Sequence, residues 1–91
     1  MFRVFVRVHM RDFDAFRAFF NRSGGLEERQ GWGILRTQIH RSVRDPNDVT
    51  LWHDFDSLDD AKSYQHRSRL IDVMAEAGAT QVPQIWVTEA L

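Results

Sequence analysis

The sequence predicts an α+β fold in a single domain: a four-stranded antiparallel sheet with helices against one face. Three observations carry this. Four stretches alternate two kinds of side chain with the period of a strand. Two stretches between them have helical spacing and open on Asp12 and Ser57, residue types suited to an N-cap. The segment RDPND, Arg44 to Asp48, is a strong turn signal that joins the two middle strands as a hairpin.

The first strand is expected over Phe2 to His9. Phe2, Val4, Val6 and Val8 form one apolar face, and Arg3, Phe5, Arg7 and His9 the other. Asp12 then caps a helix from Phe13, whose Phe13, Phe16 and Phe20 share one stripe. Gly24 and Gly25 stop it, with a short further turn expected from Leu26 to Arg29. Ile34 to His40 is the second strand, entered past Gly31 and Gly33.

The third strand lies in DVTLWHDFDSLDDA, Asp48 to Ala61, the most informative stretch. Val49, Leu51 and Phe55 alternate with Thr50, Trp52 and Asp54. Ser57 follows as N-cap, with Asp59 and Asp60 in the first turn, where negative charge suits the helix dipole. The second helical region runs from Ser57 to Ala77, with a break expected near His66 to Ser68 and Gly78 as C-cap. Val82 to Glu89 closes the sheet, with Pro83 near its start. Strand, helix, strand, strand, helix, strand is the ferredoxin-like βαββαβ order.

Placing the more apolar side of each strand under the helices puts Leu35 and Ile39, Ile85 and Val87 with the valines. The free side then carries Arg3, Phe5, Arg7 and His9; Ile34, Arg36, Gln38 and His40; Thr50, Trp52 and Asp54; and Gln84, Trp86 and Thr88. Two Trp, a Phe, three Arg, two His and an Asp describe a ligand pocket or the core of a wet interface. The first and third strands are neighbours in this topology, so Asp54 is expected to pair with Arg7 or His9. Such a pair either serves chemistry or neutralises an interface.

Composition narrows the class. A formal net charge of −1 argues against general nucleic-acid or anionic-membrane binding. The absence of cysteine removes disulfides, thiolate metal sites and a Cys nucleophile. No apolar run reaches membrane-spanning length, and the opening FRVFVRVH does not read as a signal peptide, so a cytoplasmic protein is expected. The four histidines form no HxH or HxxxH pair, so no metal or resident cofactor is expected. His53 reads as a satisfied, semi-buried histidine and His66 as a polar surface residue. Seven Phe and three Trp are many large aromatics for so short a chain to hide, which hints at a second buried surface.

RDFDAFRAFF, RDPNDVTLWHDFDSLDDAKSY, LIDVMAEAG and PQIWVTE together resemble the antibiotic-biosynthesis-monooxygenase-like superfamily of dimeric α/β-barrel proteins. The resemblance implies a homodimer in which two sheets face each other and bury Trp52 and Trp86. It also implies relatives that include cofactor-independent monooxygenases of phenolic or quinol-like aromatics, haem-degrading enzymes, and members with no known activity. Monooxygenase members often carry a histidine in the second helical region; the spacing of His66 does not match, and no role passes to it.

Three readings follow. In the first, an enzyme acts on a small aromatic substrate: Phe5, Trp52 and Trp86 stack the ring, Arg7 or Arg36 stabilises an oxyanion, and His9 or His40, helped by Asp54, serves as base. The second is a non-catalytic dimeric module binding a small molecule in the same place. The third is haem binding through one of the histidines.

Overall fold

The computed structural model describes residues 1–22, 24–66 and 70–91, Leu26 by its backbone alone. Its elements are β1 (Phe2–His9), α1 (Phe13–Phe20), α2 (Gly25–Gly31), β2 (Arg36–Arg41), β3 (Asp48–Phe55), α3 (Leu58–Gln65), α4 (Leu70–Glu76) and β4 (Gln84–Glu89). The strands are antiparallel in the order β2-β3-β1-β4. The helices cover one face, so the expected ferredoxin-like arrangement is what the chain adopts. Among the described residues no helix is long and apolar enough to cross a membrane.

The core follows from the alternation. Val4, Val6 and Val8 of β1 and Val49, Leu51 and Phe55 of β3 point to the helices and are buried. Phe13 and Phe16 of α1, Ala61 and Tyr64 of α3, and Leu70 and Met74 of α4 close over them. Each large apolar side chain among these contributes about 1.5–3 kcal/mol by leaving water. Leu58 and Ile71, at the starts of α3 and α4, are exposed.

The caps form as the sequence indicates. The Asp12 carboxylate accepts from the Asp14 amide at 3.0 Å and the Ala15 amide at 3.4 Å. The side-chain oxygen of Asn47, 34 positions away in the β2–β3 turn, accepts from the Phe13 amide at 3.0 Å. The Asn47 carbonyl accepts from the Met10 amide at 2.7 Å, so this turn grips the chain on both sides of the β1–α1 corner. Ser57 accepts from the Asp60 amide at 3.2 Å. The helical region breaks between α3 and α4; Ser68, expected to recap it, lies outside the described residues.

Two boundaries differ from expectation. β4 begins at Gln84, after Pro83. β2 begins at Arg36, not Ile34, because the chain leaves α2 through Gly33 with φ of +84°. A side chain at Gly33 would also stand 2.8 Å from the Asp60 carboxylate. This turn resets the alternation: Ile34 is 7% exposed and packs in the core, while Leu35 is 54% exposed. Their expected faces were therefore reversed. From Arg36 onward the assigned faces hold.

Candidate functional site

The register aligns the free face in rows across the sheet. Gln38, Trp52, Phe5 and Trp86 form the central row. Arg36, Asp54, Arg3 and Thr88 lie on one side of it, and His40, Thr50, Arg7 and Gln84 on the other. Phe5 and Trp86 stack with ring centroids 5.2 Å apart and an interplanar angle of 11°. The Arg3 guanidinium lies 3.6 Å from the centre of the Trp52 ring, and that of Arg36 lies 5.2 Å away.

Asp54 pairs with neither Arg7 nor His9. Arg3 donates to its carboxylate through Nε at 2.7 Å and Nη2 at 3.1 Å, and Arg36 through Nη2 at 3.2 Å. Asp54 is 2% exposed, roofed by these guanidinium groups at the sheet surface. The Arg3 hydrogen bond, and more weakly that of Arg36, holds its carboxyl below the usual carboxylate range, against the opposing effect of burial. Arg7 instead forks onto Asp48 at 3.2 and 2.9 Å. His9 lies between Thr80, at 2.9 Å from Nδ1, and Asp45, at 3.2 Å from Nε2.

The expected trio is thus dispersed. Six residues of extended strand, roughly 20 Å, separate the level of His9 from that of Asp54, which faces Arg3. His40 is exposed on β2 opposite Thr50. The structure does bring together Trp52, Arg3, Arg36 and Asp54, and separately Phe5 and Trp86.

The other side of the sheet holds a different cluster. His53 points from β3 toward the helices and is 2% exposed. Its Nδ1 is 2.6 Å from the Thr37 hydroxyl on β2, and its Nε2 is 3.0 Å from the Tyr64 hydroxyl on α3. Both hydroxyls can donate or accept, so either neutral tautomer satisfies both bonds. The imidazole meets the Tyr64 ring edge-on at 4.9 Å. Burial, then the positive charge of Arg29, pushes the His53 pKa down to about 3, and Asp54 opposes this weakly. The ring is neutral at any physiological pH.

A cavity of about 50 Å³ adjoins this cluster, lined by Phe16, Phe20, Trp32, His53, Tyr64 and Met74 among others. Outside it, a cleft of about 560 Å³ runs along the open edge of β2 beneath α1 and α2. Phe20 and Arg29 border both spaces, and Thr37 borders the cleft while bonding His53. Thr37, Tyr64 and Arg29 were absent from the sequence-derived site. The signal for Thr37 was present: the hairpin places it directly opposite His53 on the inward face. Among the described residues no group of three or more His, Cys, Asp and Glu could hold a metal ion.

No family model matches the chain, and no curated protein matches its sequence. Solved structures do match its fold. A Nitrosomonas europaea protein assigned by name to the antibiotic biosynthesis monooxygenases superposes with a TM-score of 0.71 at 18% identity, covering 100% of this chain and 99% of that one. The chain has the fold of the antibiotic-biosynthesis-monooxygenase-like proteins. SnoaB, a cofactor-independent oxygenase from Streptomyces nogalater, gives 0.70 at 15% identity in the structure of a mutant form, covering 98% of this chain and 91% of that one. Rv0793 from Mycobacterium tuberculosis gives 0.67 at 17%, covering 99% and 94%.

Proposed function

We propose that this chain is a cofactor-independent monooxygenase-like enzyme for a small aromatic substrate, a homodimer through its free sheet face, with its reacting site on the helix side. The observation that carries this is the Thr37–His53–Tyr64 network, a buried polar chain set against an aromatic-lined cavity. Several neighbours in fold bear monooxygenase names, and one is called a cofactor-independent oxygenase.

In such a reaction the substrate supplies its own electrons. An activated CH₂ carbon loses a proton, the carbanion passes an electron to dioxygen, and recombination gives a hydroperoxide. Loss of water leaves a carbonyl. The protein must bind the ring, hold a proton relay in place and keep bulk water out. A histidine with a pKa of about 3 is a poor base. Its role is to fix the Tyr64 hydroxyl, which is the group that exchanges a proton with substrate or peroxide.

The free face suits assembly. Its charges are paired in place, and Trp86, 41% exposed, stacks on Phe5 in a flat aromatic row beside Trp52. Aromatic and Arg side chains are favoured at interface cores. Sedimentation should give a dimer, and Trp86→Glu a monomer; a monomeric wild type removes this part of the reading.

Dioxygen uptake with a panel of anthrones and quinols tests the chemistry. Tyr64→Phe should lose about 10²-fold or more in rate, while His9→Gln and Arg7→Gln stay within about twofold. The reverse pattern returns the site to the free face. A second reading, a binding module without turnover, is favoured by one observation: a 50 Å³ cavity is smaller than an aromatic ring needs. Stabilisation by quinols with no oxygen uptake in any variant identifies that case.

A further inference from the structure

We infer that the cleft along the open edge of β2 binds a small planar aromatic carboxylate, with Arg29 and Arg17 taking the carboxylate and Phe20, Ile34 and Leu35 the ring. At about 560 Å³ the cleft is the size of a small-molecule site. Its charge is one-sided. Arg17, Arg29 and Arg36 line it, and among the described residues no Asp or Glu does.

Arg36 is already committed to Asp54. Arg17 and Arg29, among the described residues, have no carboxylate within ion-pair distance, whereas Arg3, Arg7 and Arg22 each have one. The lining is therefore cationic, with Glu27 and Glu28 of α2 acting on Arg29 from outside ion-pair distance.

Arg29 is held in place before any ligand arrives. Its Nη1 donates to the Phe20 carbonyl at the end of α1, at 3.0 Å, and its guanidinium lies 4.1 Å from the Phe20 ring centre. Gly25 leaves the room: a side-chain carbon there would stand 3.3 Å from Nη1 and 3.0 Å from the Phe20 carbonyl. One N–H of five is used, which leaves donors for a planar, bidentate acceptor. Burial, then the charge of Arg22, lowers the pKa of Arg29, and Glu28 and Glu27 offset this only in part, so an incoming anion relieves what remains of the penalty. Two guanidinium groups without a carboxylate partner among the described residues, and an apolar floor, match a singly charged ring better than a polyphosphate. Glu27 and Glu28 in the first turn of α2 oppose an extended polyanion.

The inference concerns binding alone and is independent of turnover in the inner cavity. The test is calorimetry with 1-naphthoate and its neutral isostere 1-naphthamide, with amide chemical shifts to locate the contact. Naphthoate is expected to bind about tenfold or more tightly than the amide, to move Gln38 and Ile39, and to weaken with salt. Arg29→Gln, which can still donate to the Phe20 carbonyl, and Arg17→Gln should each cost naphthoate about fivefold or more and leave naphthamide within about twofold. Equal affinity for acid and amide, unchanged naphthoate binding in both variants, no binding at millimolar ligand, or shifts confined to Phe5 and Trp86 each overturn the proposal. If Arg29→Gln fails to fold, the wild-type acid–amide comparison and Arg17→Gln decide it. A chain that oxidises neutral quinols yet fails here keeps its proposed chemistry and loses only this ligand.

Discussion

The two faces of the sheet carry similar residue types and treat them in opposite ways. On the free face Asp54 is kept charged, because two guanidinium groups converge on it and outweigh its burial. On the helix side, one position earlier in β3, His53 is kept neutral, because hydroxyls are its partners and apolar side chains surround it. Adjacent residues on one strand thus sit on opposite sides of an electrostatic divide only a backbone thick. Burial alone does not decide ionisation; the charge of the partner does.

The largest test of that contrast is acid. The folded pKa of His53 lies below its unfolded value of about 6.5, so the unfolded state binds the extra proton first. Stability that is complete above about pH 6.5 should fall as pH drops toward about 3, by up to about 4–5 kcal/mol. His53→Gln should flatten this window in urea titrations at stepped pH; an unchanged slope would mean that His53 is not the group responsible. Asp54 acts lower: its folded pKa is depressed, so its contribution is present above about pH 4 and is lost as pH falls through the folded value.

Asp54→Asn comes next. It leaves Arg3 and Arg36 facing each other across a neutral amide and should cost about 2–3 kcal/mol at pH 7, read as a shift in denaturation midpoint. Thr37→Val keeps the shape and removes one hydroxyl from His53, for about 1–2 kcal/mol. It should also raise the hydrogen-exchange rate of neighbouring β2 amides more than those of β4. Arg7→Gln is the smallest change. Its pair with Asp48 is exposed, so the expected loss of stability is small and should vanish at high salt. A larger, salt-resistant loss would show that this end of the free face is dehydrated in an assembled dimer.

Much of the fold was legible because period two survives in β1, β3 and most of β2, and because Asp12, Ser57 and the RDPND turn are local devices. The faces of Ile34 and Leu35 were misread because a positive-φ glycine is visible as a residue but not as an angle. The partner of Asp54 was misread for a different reason. Knowing that β1 and β3 are neighbours does not fix which residues stand opposite, and the actual register brings Arg3, not Arg7, to Asp54. His53 was recognised as inward and satisfied, but Tyr64 reaches it from α3, and the docking of a helix on a sheet has no period to read. Arg29 was hidden in a segment expected to be only a further turn; it is an ordered helix whose cation lies against the end of α1.

The Asn47 contact to Phe13 has a consequence for how the chain assembles. An eight-residue helix such as α1 is too short to persist alone. Its first amide is satisfied by a side chain that reaches position only when the β2–β3 hairpin has closed. The helix and the hairpin are therefore wired in series, so that local fraying of the hairpin unlatches the helix start. Exchange at the Phe13 amide is a clock for the opening of a turn 34 residues away.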